Sequence, residues 1–263
     1  MEDKQNEFMK YAMCIVPVGS LRKEPSHKTE MVSQLLFGEC CIILQKDTGW
    51  IKIRCKYDGY EGWCQQGQVG EVDAETYHLE TQKLAAGWVN EIYIDDAKLL
   101  IPFGSEVRLE KNKKDQPYSG ELWNADTVKI TTEIIKQIAF TFLNTAYLWG
   151  GKSVFGIDCS GFSQTVYKFL NIPLKRDAHQ QAEQGVTVNS LQDAKCGDLA
   201  FFDNQEGRIT HVGILLEDKK IIHASVKVRI DKIDEDGITN IETGEQTHKL
   251  KMIKRFFKNT RIF

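Results

Sequence analysis

Residues 156–162 read GIDCSGF, and no other stretch restricts the folding of this chain as tightly. After the cysteine, Phe162, Val166, Phe169 and Leu170 recur at the i, i+4, i+7, i+8 spacing of one helix face. Asp158 is a good N-cap residue, which places Cys159 in the first helical turn. There the free N–H groups and the helix dipole favour a thiolate over a thiol. Cys159 is therefore expected to be a nucleophile that works near neutral pH.

The other cysteines read differently. The chain has seven, an odd number, so at least one is outside any intrachain disulfide. Cys14, Cys40, Cys41, Cys55 and Cys64 crowd into the first quarter with no C-x-x-C pair and no histidine pair nearby, which argues against zinc. They read as small buried hydrophobes, Cys196 with them, in a reducing compartment. The N-terminus, MEDKQNEFMK, lacks the basic head and apolar core of a signal peptide. No run approaches the roughly 18–20 apolar residues that span a bilayer. A net charge of −3 gives no electrostatic reason to expect nucleic acid or an anionic membrane. The expectation is a cytoplasmic protein without membrane insertion or a nucleic-acid partner; oligomeric state is not legible.

At 263 residues the chain has room for one large domain or two to three small ones. Its first part reads as short strands: ECCIILQ (39–45), GWIKIRC (49–55) and GYEGWCQ (59–65), separated by KDTG and KYDG turns. A weaker echo follows in GWVNEIYI (87–94), a Pro102–Gly104 turn and SEVRLEK (105–111). Two small antiparallel barrels in tandem are expected, over 1–70 and 71–125. Beyond Asn124 the pattern changes. Ile130, Ile134, Ile138 and Phe142 repeat every four residues, as in an amphipathic helix. YLWGG (147–151), the Cys159 helix and a polar segment come next. From Gly197 onward GDLAFFD, THVGILLE, KIIHASV and KMIKRFF read as strands. Helices followed by an antiparallel sheet make an α+β domain over 126–263.

A catalytic thiol needs a base, usually an imidazole, and that imidazole needs an orienting group. His211 and His223 lie on consecutive expected strands inside apolar runs. Each alone reads as a hydrogen-bonded core histidine; together, in a domain with a cysteine at a helix start, they suggest a catalytic pair. Cys159, His211 and His223 also have the ligand types of a metal site, but a glycine-flanked cysteine at a helix start suits a nucleophile better. His27, His78, His179 and His248 lie in polar surroundings and read as surface residues. Parity imposes a condition on the pair. A simple even-length hairpin through 217–220 pairs Ile214 with His223 and sends the two histidines to opposite faces. Both reach one site only if the loop is odd or a bulge intervenes.

GIDCSGF, then GDLAFF, THVGILL and IIHAS in this order, resembles the NlpC family of cell-wall cysteine peptidases, with YLWGG similar to the family's aromatic-Gly-Gly approach to the active site. The likeness covers roughly 130–263, and the N-terminal half resembles the bacterial SH3-like barrels that accompany such domains. The resemblance implies a papain-like catalytic domain behind two SH3-like barrels, working without cofactor or metal. It implies Cys159 as nucleophile, His211 as general base and His223 as the residue that orients it. Asp158 and Ser160 match positions lining the substrate pocket. Arg176 and Asp177 resemble an Arg-Asp pair after the nucleophile helix, followed here by Ala178 where relatives tend to have serine. In barrel-bearing relatives, acidic residues beside the cysteine and on the first barrel, with a barrel tyrosine, receive the free amine of an L-alanine. Glu30 and Tyr60 match those barrel positions, and Trp149 flanks the glycine pair Gly150–Gly151.

The activity so implied is hydrolysis of the γ-D-Glu–diamino acid bond in short muropeptides with a free N-terminal L-Ala, releasing L-Ala-γ-D-Glu in peptidoglycan recycling. The alternatives are an amidase or acyl-transfer enzyme of the same fold, and a non-catalytic peptide-binding module. Taken by themselves, Tyr60 and Trp149 also read as packing residues, Glu30 as a solvated charge and Asp158 as a cap.

Overall fold

The computed structural model describes residues 10–80, 83–94, 97–108 and 118–257. The chain divides into two compact units, Met1–Trp123 and Asn124–Phe263. Among the described residues no helix is long and apolar enough to cross a membrane.

In the first unit, seven strands form one antiparallel sheet. They are β1 (Lys10–Cys14), β2 (Val18–Arg22), β3 (Met31–Leu36), β4 (Cys40–Asp47), β5 (Trp50–Cys55), β6 (Glu61–Gln65) and β7 (Val69–Val72). Their spatial order is β3-β2-β6-β5-β4-β1-β7. Cys14, Leu21, Leu35, Cys41, Ile53, Cys64 and Val69, one from each strand, share a single core. A sheet in which every strand faces the same cluster has to curl around it, which gives a barrel-like SH3 architecture. The turns after β4 and β5 have glycines with positive φ, Gly49 and Gly59, both at 75°. Burial pushes the Cys14 and Cys64 thiols up to about 12, so they act here as small apolar side chains.

The rest of this unit is a short helix, α1 (Ala74–His78), and five strands: β8 (Lys83–Ala85), β9 (Val89–Ile94), β10 (Ala97–Pro102), β11 (Tyr118–Ser119) and β12 (Leu122–Asn124). They form a three-stranded sheet, β10-β9-β11, and a β12-β8 pair. Ala85, Ile92, Ile101 and Val107 bury a small core to which Phe37, just after β3, also contributes. Where 105–111 was expected to be a strand, residues 105–108 are not one, and 109–111 lie outside the described residues. Glu106 makes a single antiparallel bridge to Leu84, through Val107 N–H to the Lys83 carbonyl (3.0 Å) and Ala85 N–H to the Ser105 carbonyl (2.9 Å), while its own N–H donates to the Phe37 carbonyl (2.8 Å).

The second unit begins with α2 (Thr132–Phe140), whose N-cap Thr131 accepts from the Ile134 N–H and whose buried face includes Ile135, Ile138 and Ala139. A two-residue hairpin, β13 (Lys152–Ser153) with β14 (Gly156–Ile157), leads into α3 (Cys159–Phe169), and α4 (Ala178–Ala182) follows. Then comes an antiparallel sheet of β15 (Val186–Val188), β16 (Leu199–Asp203), β17 (Ile209–Leu215), β18 (Lys220–Ser225), β19 (Lys227–Ile233), β20 (Gly237–Thr239) and β21 (Gln246–Arg255). The order is β15-β21-β16-β17-β18-β19-β20, and β20 pairs with β21 as well, closing six strands into a ring. Phe202, Leu215, Ile221, Ile233, Ile238 and Ile253 fill its interior. Every residue of α3 is buried, against β17 and β18 with α2 and β13 alongside.

The β17–β18 register meets the parity condition. Gly213 pairs with His223 and Ile214 with Ile222, one step from the even-hairpin register. The step is made at the turn, where Asp218 and Lys219 have positive φ and the Lys220 N–H donates to the Glu217 carbonyl at 3.3 Å. The Leu216 N–H donates to the Lys220 carbonyl at 2.8 Å, so Leu216 and Glu217 both face Lys220. This is a bulge. It turns His211, Gly213 and His223 to the same face of the sheet.

Candidate active site

The start of α3 is organised around the Asp158 carboxylate. Oδ1 accepts the Gly161 N–H at 2.7 Å, the N-cap bond expected from the sequence, and Oδ2 accepts the Gly150 N–H at 2.8 Å. Arg176 forks onto both oxygens, Nη1 to Oδ1 at 3.0 Å and Nη2 to Oδ2 at 2.6 Å, and Nη1 also donates to Ser160 Oγ at 2.9 Å. Arg176 is 1% exposed, so this is a buried bidentate ion pair. The structure thus brings Asp158, Ser160 and Arg176 into one network that ties the Gly150–Gly151 turn to the helix start. Each Asp158 oxygen already holds a backbone N–H and a guanidinium N–H. Gly161 is required by close approach: a Cβ there would lie 2.2 Å from the Gly151 carbonyl oxygen.

Cys159 occupies the first position of α3, with Sγ 4.0 Å from the Thr210 carbonyl and beside the Val212 amide. The nucleophile candidate therefore lies along the main chain on both sides of His211. Its electrostatics oppose a resting thiolate. Burial and the neighbouring Asp158 carboxylate push the thiol up to about 12, against the backbone donors and Arg176 that favour ionisation. Burial, followed by His223 and His248, holds His211 well below its ordinary value of 6.5. Burial thus opposes charge on both the thiol and the imidazole.

Behind His211 runs a chain of polar groups inside the sheet. His211 Nε2 and His223 Nδ1 are 2.8 Å apart, and His223 Nε2 lies 3.0 Å from Asp231 Oδ2. All three residues are buried. Nε2 is thus the His211 nitrogen that faces His223. Asp231 Oδ1 accepts from Arg229 Nη2 at 3.0 Å and from the Ile241 N–H at 3.1 Å. Its carboxyl is held at about 2, because the His223, Ile241 and Arg229 hydrogen bonds outweigh the opposing cost of burial. Gly213 gives His223 room, since a Cβ on it would come within 2.9 Å of the His223 Cβ.

Three members of this site, Asp231, Arg229 and His248, escaped sequence reasoning. Asp231 sits on β19 opposite Ile221, and Arg229 opposite His223. The available signal was the Arg-x-Asp alternation in a strand that shares its face with the histidine. His248, read as a surface residue, instead stacks on His211 with ring centroids 4.1 Å apart and 24° between planes. Phe202 also packs against the His211 ring, at 5.7 Å. Burial and the nearby His223 lower His248 to about 4, against the pull of Asp231. Its position depends on β21 closing the ring of strands, which no local pattern announces.

Trp149, Tyr60 and Glu30 complete the set of expected site residues. Trp149 is 59% exposed in the turn before β13. Tyr60 and Glu30 belong to the first unit. Tyr60 packs against the barrel core, and Glu30 is a surface residue whose carbonyl accepts the Lys23 N–H at 3.0 Å.

Residues 144–246 match the NlpC/P60 family, and residues 21–68 match the bacterial dipeptidyl-peptidase SH3 domain. The chain is 30% identical over 214 residues to the γ-D-glutamyl-L-lysine dipeptidyl-peptidase of Bacillus subtilis (strain 168), covering 73% of this chain and 71% of that one. It belongs to the NlpC/P60 family. It is also 26% identical over 261 residues to dipeptidyl-peptidase 6 of Lysinibacillus sphaericus, spanning 92% of that protein. Its fold is similar to the crystal structure of an NlpC/P60 family protein from Bacillus cereus ATCC 10987, with a TM-score of 0.80 and 20% identity over 94% of this chain and 100% of that one. The NlpC/P60 dipeptidyl-peptidases and endopeptidases are cysteine peptidases, and this chain is a hydrolase of that class.

Two outcomes follow for this NlpC/P60 protein. Arg176→Met leaves the buried Asp158 carboxylate without its cation and should cost about 3–5 kcal/mol in urea unfolding. A loss below about 1 kcal/mol would mean that the backbone donors alone hold the helix start. The second concerns acid stability. His211 and His248 are both lowered in the folded state, so the unfolded chain binds their protons first, and stability falls as pH drops below 6.5 toward 4. His248→Phe keeps the stack and removes one of the two protons, so urea midpoints should decline less steeply over that interval than in the wild type.

Proposed function

We propose that this protein hydrolyses the γ-D-Glu–diamino acid bond of short muropeptides with a free N-terminal L-alanine, releasing L-Ala-γ-D-Glu. The observation that carries the reading is the placement of Cys159 at the start of α3 beside the His211 main chain, with His211 backed by His223. The choice of bond comes from the names of the relatives, two of which are dipeptidyl-peptidases, one of them γ-D-glutamyl-L-lysine specific.

In this mechanism Cys159 Sγ attacks the γ-carbonyl while His211 Nδ1 takes the thiol proton. The oxyanion is held by N–H groups in the first turn of α3. His211 returns the proton to the leaving amine of the diamino acid, producing a thioester. It then draws a proton from water, which attacks the thioester; the C–S bond breaks, the dipeptide leaves with its new γ-carboxylate, and His211 returns the proton to the Cys159 thiolate. Because His211 is held below its ordinary value of 6.5, the base stays deprotonated at neutral pH. The acid limb of kcat/KM should accordingly fall below that value.

A free substrate amine is the natural means of selecting fragments, since an intact glycan-linked peptide has none. Asp158 shapes the wall of this pocket through Arg176 and Ser160, and the parts of Glu30, Tyr60 and Trp149 in recognition rest on the family resemblance. All seven cysteines are free, which supports action in a reducing, cytoplasmic compartment on recycled wall fragments.

L-Ala-γ-D-Glu-L-Lys and its N-acetylated form test the reading directly. Chromatography should show L-Ala-γ-D-Glu released from the free-amine peptide, little from the acetylated one, and none with Cys159→Ala. Cleavage of neither peptide, or of both at equal rates, rejects the substrate assignment.

A further inference from the structure

Most hydrogen-bonding groups in the relay can either donate or accept, so its proton direction must be set from one end. Asp231 is that end. Its Oδ1 accepts from the Ile241 N–H, a group that can only donate, and from Arg229 Nη2. Arg229 Nε lies 2.8 Å from Oδ2, so the guanidinium faces both oxygens and supplies the carboxylate with its counter-charge. An ionised carboxylate accepts and never donates. The 3.0 Å contact between His223 Nε2 and Oδ2 therefore requires the proton to be on Nε2. A neutral His223 then presents a bare Nδ1 to His211, 2.8 Å away. His211 must donate from Nε2, which leaves its own Nδ1 bare.

We propose that Asp231, clamped by Arg229 and the Ile241 amide, is a positioning residue that fixes the tautomers of His223 and His211 so that His211 Nδ1 is free to take the Cys159 proton. The proposal rests on the reading of Cys159 as nucleophile and His211 as base. It adds to that pair a buried acid that touches neither the thiol nor the base. His223 transmits the tautomer, and Asp231 determines which one. The same carboxylate anchors the main chain at Ile241 through Oδ1, so the two oxygens divide the work between holding the chain and orienting the proton.

Asp231→Asn separates these two tasks. Two hydrogen-bonded donors at Oδ1, against the one Arg229 Nε contact at Oδ2, hold the amide carbonyl oxygen at Oδ1, so its NH2 group turns toward His223 Nε2. His223 must then accept at Nε2, donate from Nδ1 to His211 Nε2, and leave His211 with a proton on Nδ1. The base is blocked without loss of the Ile241 bond. A change of the same kind in a Ser-His-Asp triad, a worked example in general enzymology, lowers kcat about 10⁴-fold. Here kcat for L-Ala-γ-D-Glu-L-Lys should fall on the order of 10³-fold or more, with KM little changed. The rate constant for iodoacetamide alkylation of Cys159 at pH 7 should fall in parallel.

The readout that a purely structural role would not move is the tautomer itself. Long-range ¹H–¹⁵N correlation spectra of the ¹⁵N-labelled protein at pH 7 should show His211 protonated at Nε2 in the wild type and at Nδ1 in Asp231→Asn. A wild-type His211 protonated at Nδ1, or a wild-type His223 carrying protons on both nitrogens, overturns the proposal with no variant needed. A tautomer switch that leaves both kcat and the alkylation rate unchanged overturns it too. If the wild type does not cleave the peptide, the substrate assignment fails, while the tautomers and the alkylation rate still decide the role of Asp231.

Discussion

The second unit depends on one buried ion pair. Asp158 and Arg176 meet in a bidentate contact out of water, and the remaining capacity of the carboxylate is filled by the N–H groups of Gly161 and Gly150. A charge so enclosed is tolerable only because every one of its partners is present. The same four bonds set the first turn of α3, the path of the Gly150–Gly151 turn and the orientation of Ser160. Cys159 sits at the centre of this arrangement without contributing to it. Its position is dictated by neighbours on either side, which leaves its thiol available for chemistry.

The site has two halves, built on different physical principles. The helix half uses charge and backbone donors. The sheet half uses register, where one bulge at 216–217 turns His211 and His223 to the same face and the pairing of β18 with β19 brings Asp231 behind them. Enclosure sets the tone of the chemistry. Low solvent access raises the Cys159 thiol and lowers the His211 imidazole, disfavouring charge on either. His248 and Phe202, packed on the His211 ring, restrict it to one orientation.

Much of this was legible in the order of residues. The cap at Asp158, the helix from Cys159, the strands around Cys41, Ile53 and Cys64, and the candidate pair His211 and His223 are local patterns, set by spacing and by side-chain preference. The desolvation of the thiol was not legible, because helix position is local whereas burial is not. Arg176 was recognised, but its partner became visible only in three dimensions. Asp231 and His248 went unseen because strand alternation says which residues share a face, not which strand lies alongside.

The chain's own sequence, then, determined where a nucleophile would start a helix, which segments would be strands and that two imidazoles were available. Backbone hydrogen bonding and hydrophobic periodicity act over a few residues, so a sequence records them directly. The tertiary structure decided the hairpin parity, the closing of six strands into a ring and the burial that disfavours charge on Cys159 and His211. Those depend on contacts between residues far apart in the chain and on the exclusion of water, which exist only once the sheet has closed around its core.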